Sequence, residues 1–190
     1  IVSDGSDGSI IIWNKGEILY ANFLSKEGVL KFNNPIQLTG NGVSYFGSEI
    51  APFGKGGAII VYTYSDTRRG LYANILRNDG TLARNANNPL VVTSKSGFNP
   101  SLTQDTNGGA IMAWDRVWGA TYNFIDPDET IRYIEPINLN DIKYTFLKVT
   151  TDGNGGAFII WQDGDRETPE EGVFMDIINK DGLKLTNTPK

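Results

Sequence analysis

Four short apolar runs, each entered by glycine and closed by an aromatic residue, recur along the chain at positions 8–13, 56–62, 108–114 and 155–161. Each run is too short for a helix, rich in β-branched residues and bounded by glycines, so it predicts a strand buried on both faces. The closing aromatic residues are separated by 49, 52 and 47 residues. This period divides the sequence into four similar units.

The units repeat the same elements in the same order. A polar turn follows each apolar run, then a second strand-sized segment, such as the identical triplets at 20–22 and 72–74. An acidic residue and glycine mark the next turn in three units, and a proline precedes a short outer strand. We assign the repeats to 1–49, 50–101, 102–148 and 149–190, the last without its outermost strand. The pattern predicts an all-β chain, a β-propeller-type repeat of four-stranded antiparallel blades.

The two ends of the repeat series carry a further expectation. Residues 1–3 match the inside of an inner strand, and the sequence stops one residue after Pro189, before the fourth outer strand. Closed propellers commonly complete one blade with strands from both termini. We therefore expect these blades to be part of a larger propeller, or an open array completed by further chain or by a partner. The 190 residues alone are expected to be poorly soluble or oligomeric.

The pattern D-G-x-G-G-A-[I/F]-x-x-W, followed by a [Y/F]-x-x-[I/F]-x-x-x-[D/E]-G-x-L strand and turn, resembles the repeats of secreted bacterial β-propeller-like proteins. The sequence departs from it at four positions: Ser9 for the second Gly, Phe53 for Asp, Tyr62 for Trp, and Thr130 for the turn Gly. The resemblance covers the whole chain and implies a shape without a single activity. Together with the first residue being Ile, it implies an extracellular, cell-surface or periplasmic location.

Composition narrows the classes of function. The chain has 17 basic and 22 acidic residues, a net charge of -5, and no basic stripe, which argues against nucleic acid or an anionic membrane as partner. Its longest apolar runs are strand-sized, so membrane insertion is not expected. Cysteine and histidine are absent. Disulfides, Cys/His zinc sites and histidine-dependent nucleophiles are therefore excluded within these residues.

Two acidic loops are candidates for a metal site. Residues 4–8 and 163–165 place oxygen ligands at alternate positions, as calcium loops do, with Asp4, Asp7, Asp163 and Asp165 as the candidates. Neither loop has a full set of ligands. The paired glycines and closing aromatic residues are explained more simply by close backbone approach and packing between blades. No cofactor is expected, with calcium as the alternative.

The segments that differ between repeats predict where a partner binds. In an up-and-down blade, the turn after the second strand and the connection to the next blade leave the same edge, and these segments vary in length and charge here. The binding candidates on this edge are Arg68, Arg69, Arg116, Trp118 and Arg166, since Arg and Trp are enriched in interaction hot spots. The partner would be a protein, a glycan or further segments of the same protein.

An enzymatic alternative remains open. Propeller glycosidases of the sialidase type use carboxylates or tyrosine rather than histidine, and the variable edge offers Asp66, Asp115, Asp163 and Asp165. No fixed spacing selects a pair among these acids, and the sialidase S-x-D-x-G-x-x-W box is missing from the turns between third and fourth strands. We therefore assign no catalytic residue. The sequence favours a non-enzymatic interaction or structural module.

Overall fold

The computed structural model describes residues 1–40, 45–64, 70–116, 119–140, 144–163 and 172–185. All regular secondary structure within these ranges is β-strand, which confirms the all-β prediction. None of the described residues forms a helix long and apolar enough to span a bilayer.

The strands form four antiparallel sheets, which we call blades 1 to 4. In each blade the strands lie side by side in the order of the chain. Blade 1 contains β1 (Val2–Ser3), β2 (Ser9–Lys15), β3 (Ile18–Leu24) and β4 (Ile36–Gln37). Blade 2 contains β5 (Tyr45–Phe53), β6 (Gly57–Tyr64), β7 (Leu71–Leu76) and β8 (Leu90–Thr93). Blade 3 contains β9 (Phe98–Gln104), β10 (Ala110–Asp115), β11 (Ala120–Ile125) and β12 (Ile137–Asn140).

Blade 4 contains β13 (Tyr144–Thr151), β14 (Ala157–Asp163) and β15 (Val173–Ile178), and these are its three strands within the described part of the chain. The segment at 187–190, where the sequence predicts an interrupted outer strand, lies outside the described residues. The four glycine-entered apolar runs coincide with β2, β6, β10 and β14, the second strand of each blade.

The first strands of blades 2, 3 and 4 begin at Tyr45, Phe98 and Tyr144, before the repeat boundaries drawn at 50, 102 and 149. Those boundaries therefore fall inside β5, β9 and β13. The sequence repeat is defined by the second strand, whose glycine and aromatic positions recur. The first strand carries no shared motif, so its start does not show in the repeat. The blades group into two compact units, residues 1–95 and 96–190.

The core of the first unit lies between blades 1 and 2. Ile10, Ala21 and Phe23 of blade 1 are buried against Ile60 and Tyr62 of blade 2. Tyr62, the closing aromatic residue of the second repeat, is fully buried. Burying a large apolar side chain contributes about 1.5–3 kcal/mol.

The core of the second unit lies between blades 3 and 4 and uses the equivalent positions. Ile111, Tyr122 and Phe124 of blade 3 are buried against Ile159 and Trp161 of blade 4. The first strands of the two blades are also tied together by a hydrogen bond, which the Val149 amide donates to Ser101 Oγ at 3.1 Å. In both units the closing aromatic residue of one repeat thus packs against the preceding blade.

Polar contacts add the same cross-link in both units. Lys31 Nζ donates to the Asn78 carbonyl at 2.5 Å in the first unit. Arg132, at the equivalent position of blade 3, donates through Nη1 to the Lys180 carbonyl at 2.9 Å in the second. Tyr133 Oη donates to the neighbouring Asp181 carbonyl at 2.7 Å. In each unit, a lysine or arginine side chain of one blade thereby donates a hydrogen bond to the turn between the third and fourth strands of the next blade.

The loop between the first and second strands explains the D-G-x-G-G motif. Asp105 Oδ1 accepts hydrogen bonds from the Asn107 and Gly109 amides at 2.8 and 2.7 Å. Asp4 and Asp152 make the same pair of bonds in blades 1 and 4. The aspartate is thus an Asx-type loop cap. A Cβ added to Gly109 would lie 2.5 Å from the Ile125 carbonyl oxygen, so this position requires glycine.

At two of the four departures from the repeat pattern, the motif position lies one residue before the one that the sequence comparison indicates. Gly8 occupies the crowded second glycine position, and Asp7 replaces the first glycine with a φ of 64°, so Ser9 is not the departure. In blade 3 the left-handed turn residue is Glu129, with a φ of 69°, rather than Thr130. Its amide donates to the Asp126 carbonyl as the turn glycines do in other blades. Comparison of residue types alone misplaces both positions by one residue, because backbone conformation defines them.

Candidate functional site

The antiparallel order gives each blade two distinct edges. The turn between second and third strands and the connection to the next blade leave one edge, which we call the loop edge. The Asp-capped loops and the turns between third and fourth strands leave the other, the motif edge. The sequence predicted that a partner binds at the loop edge.

Most of the predicted loop-edge residues cannot be placed. Arg68, Arg69, Trp118 and Arg166 lie outside the described residues, as do Asp66, Asp165 and the side chain of Asp163. Arg116 is described, and its Nη1 donates a hydrogen bond to Asn138 Oδ1 of β12 at 2.7 Å. That bond ties the Arg116 guanidinium to β12, and binding of a partner at Arg116 stays a prediction.

The acidic loop of blade 1 is occupied by its own backbone. Asp4 Oδ1 accepts the amides of Ser6 and Gly8 at 2.8 and 2.9 Å, and these bonds lower the pKa of the carboxyl. The described residues include no group of three or more acidic side chains able to hold a metal ion. Calcium binding at Asp4 and Asp7 stays a prediction.

A cleft of about 670 Å³ opens on the motif edge of blade 1. It lies between the Asp4 loop and the turn that follows β3, and Asp7, Lys26 and Lys31 are among the residues that line it. The Asp4 carboxyl already accepts hydrogen bonds from loop amides, and Lys31 already donates one to the Asn78 carbonyl. These two charged groups of the cleft are therefore already engaged within the chain.

Asp115 has surroundings unlike those of an ordinary surface acid. It ends β10 at the loop edge of blade 3 and is only 5% exposed. Burial raises the pKa of its carboxyl, and the hydrogen bond from Asn99 partly opposes this. Asn99 Nδ2 donates to Asp115 Oδ2 at 3.0 Å, while Oδ1 has no partner among the described residues. A buried, half-satisfied carboxyl is costly for stability and is a common feature of functional sites.

A bulge in the neighbouring strand creates this environment. Pairing between β9 and β10 shifts register near their loop-edge ends, where Asn99 adopts a left-handed conformation with a φ of 46°. The shift places Phe98 directly across from Asp115, and the Phe98 side chain is 44% exposed. Bulges of this kind re-aim side chains next to functional sites. We call Phe98, Asn99, Asp115 and the Arg116–Asn138 pair the Asp115 site.

The Asp115 site combines a hydrogen-bond acceptor, an amide, a guanidinium and an exposed aromatic ring. A carboxylate accepts hydrogen bonds from hydroxyls, and a ring supplies an apolar surface for the C–H groups of a ligand. The sequence listed Asp115 among four possible acids but did not find Phe98 or Asn99. The Asn-Pro pair at 99–100, inside a strand where proline is unusual, was the one local signal of the bulge.

Comparisons with known proteins identify the fold. No family model matches the sequence, and no curated protein matches it. Among solved structures, a thermostable family-43 glycoside hydrolase matches with a TM-score of 0.53 and 14% identity, over 96% of this chain and 75% of that one. An endo-1,4-beta-xylanase from Bacteroides thetaiotaomicron VPI-5482 matches with a TM-score of 0.50 and 12% identity, over 99% of this chain and 74% of that one.

Identity this low carries the fold and not the activity. The four sequence-ordered antiparallel sheets and the likeness to these β-propeller enzymes agree with the repeat pattern. The chain has an all-β fold of the β-propeller type.

Proposed function

We propose that this chain is a non-enzymatic interaction module that binds a carbohydrate at the loop edge of blade 3. The observation that carries the proposal is Asp115, a buried carboxyl beside the exposed ring of Phe98, with one oxygen that has no partner among the described residues. A sugar offers hydroxyl donors for the carboxyl and a C–H face for the ring. Because Oδ1 is buried, a sugar hydroxyl reaches it when the Asp115 side chain turns toward the loop edge. Binding would then satisfy an oxygen that has no hydrogen-bond partner among the described residues.

The described side chains of the site suit a carbohydrate. Within the described residues the Asp115 site presents one ring, one carboxyl and one anchored guanidinium, a combination that fits a ligand of a few sugar units. Both solved relatives are carbohydrate-active by their names, and we extend only that ligand class to this chain.

A glycan array followed by calorimetric titration tests the proposal. Phe98→Ala should weaken binding of the best glycan by about tenfold, because it removes the stacking surface. Asp115→Asn should weaken binding by a few fold, because it replaces one oxygen of the carboxyl with an amide nitrogen that cannot accept a hydrogen bond. Leu183→Ala is the matched control, since Leu183 is an exposed apolar residue on the motif edge of blade 4. Absence of any glycan binding, or equal losses in the control, would reject the proposal.

A glycosidase is the second candidate, and the raised pKa of Asp115 favours it, because general acids share that property. Both glycosidase mechanisms need a second carboxyl about 5 to 9.5 Å away. The acids that could supply it, Asp66, Asp163 and Asp165, have side chains outside the described residues. Hydrolysis of chromogenic xylosides or arabinosides that Asp115→Asn abolishes would replace the binding proposal with this one.

A further inference from the structure

One face of blade 4 exposes apolar side chains, and those on its second and third strands occupy positions that the other blades bury or half-bury. The face includes Ile160 of β14 and Val173 and Met175 of β15, which are 38%, 72% and 44% exposed. Phe146 of β13, also exposed, lies on the same face because it pairs with Gln162, the register partner of Val173. We call these four residues the open face.

Strand register identifies the equivalent positions in the other blades. Ile160 and its partner Met175 correspond to the pair Ala113 and Tyr122 in blade 3. In blade 1 they correspond to Ile12 and Ala21. Tyr122 is 1% exposed and Ala21 is fully buried. The repeat therefore places an interface where blade 4 has an exposed surface. Its four apolar side chains flank Gln162 and lie beside Lys148 on the same face.

The two compact units show what covers this face. In the first unit, the equivalent face of blade 1 is covered by Ala58, Ile60 and Tyr62 of blade 2. In the second unit, blade 3 is covered by Ala157, Ile159 and Trp161 of blade 4. In both cases the covering surface is the motif alanine, an isoleucine and the closing aromatic residue of another repeat.

Blade 1 carries the corresponding surface at Ser9, Ile11 and Trp13. These three side chains are only half-buried, and the Trp13 ring stacks on Tyr20 at 6.2 Å between ring centroids. The surface thus has the residue pattern that covers the equivalent faces inside each unit. It remains partly accessible to another molecule.

We infer that the open face of blade 4 docks the Ser9–Ile11–Trp13 face of blade 1 from a second copy of this chain. The contact is heterologous, because two different surfaces meet, and it repeats the packing between consecutive blades. The association is therefore expected to run head to tail. It uses blade faces, whereas the proposed carbohydrate site uses Phe98 and Asp115 at a loop edge.

Sedimentation velocity over a range of protein concentrations tests the inference. The unaltered chain should show a weight-average mass that rises with concentration. Val173→Lys should weaken association by at least about tenfold, because it buries a charge in the contact. Leu183→Lys is the matched control, since that side chain is also exposed but lies outside the open face. A chain that stays monomeric at every concentration would overturn the inference.

Mixing two variants tests the head-to-tail arrangement. Trp13→Lys, or Ile11→Lys if the first variant melts below the unaltered chain, should also abolish association. An equimolar mixture with Val173→Lys should restore dimers, because each pair then retains one intact contact. Dimers that Val173→Lys disrupts and both blade 1 variants leave unchanged would mean that blade 4 faces meet each other, which contradicts the inference.

Discussion

Lys184 Nζ lies 2.8 Å from Asp176 Oδ2, and the carboxylate of this pair is completely buried. Asp176 occupies the β15 position at which the other blades have asparagine, as in Asn123. Lys184 occupies the bridge position held by Leu30, Leu82 and Ile131. Blade 4 has therefore replaced a neutral amide and an aliphatic side chain together, so that each new charge compensates the other.

Removing only the lysine should be strongly destabilising. We expect Lys184→Leu to cost about 3–5 kcal/mol, because it leaves a buried carboxylate without its counter-charge. The double variant Asp176→Asn, Lys184→Leu restores the residue types of the other blades and should lie within about 1 kcal/mol of the unaltered chain. Urea unfolding of the single and double variants measures both values.

Lys180→Leu provides the control for this cycle, because Lys180 is an exposed lysine of the same blade. It should change the unfolding free energy by no more than about 0.5 kcal/mol. A double variant as unstable as Lys184→Leu would show that packing of the lysine stem, rather than charge compensation, stabilises blade 4.

Glu129 offers a second test, since it holds a left-handed conformation where blades 1, 2 and 4 have Gly28, Gly80 and Gly182. A non-glycine residue in this region is strained by about 1–2 kcal/mol, and glycine loses more entropy on folding by about 0.5–1 kcal/mol. Glu129→Gly should therefore stabilise the chain by roughly 0.5–1 kcal/mol, measured by thermal or urea unfolding.

Asp7→Gly is the comparison variant, because Asp7 has a similar φ of 64°. Aspartate tolerates the left-handed region better than glutamate, so the gain should be smaller. If Glu129→Gly instead lowered stability, side-chain contacts of Glu129 would outweigh its backbone strain.

The sequence predicted the blades well because their signals are local. The glycine that enters each second strand meets a carbonyl of the third strand, and the closing aromatic residue fills the space between blades, as Gly156 and Trp161 illustrate. Both requirements leave a fixed spacing in the sequence. The first strands left no such signal, so the repeat boundaries fell inside β5, β9 and β13.

The Asp115 site was only partly predictable. Asp115 and Arg116 were chosen for residue type and position on a variable turn. The burial of Asp115, however, depends on the bulge at Asn99, which lies 16 residues earlier in a different strand. Residue types alone did not distinguish this acid from Asp66, Asp163 and Asp165.

The pH dependence of stability gives the last prediction, and it concerns Asp115. Burial raises the pKa of its folded carboxyl above the value of about 3.9 expected in the unfolded chain. The folded state therefore binds this proton more tightly than the unfolded state. The resulting stabilisation is fully present below the unfolded pKa and is lost as the pH rises through the folded pKa. At neutral pH the buried carboxylate destabilises the protein.

Asp115→Asn removes this titration, and its side-chain oxygen can still accept the hydrogen bond from Asn99. The variant should melt above the unaltered chain at pH 7, by about 2–4 °C for each kcal/mol gained. The difference should shrink as the pH falls through the folded pKa and vanish below about pH 3.9. Effects of the other carboxyls, including those of Asp4 and Asp128 whose pKa values are lowered, cancel in this difference. A difference in melting temperature that does not change with pH would mean that the Asp115 carboxyl keeps its unfolded pKa in the folded protein.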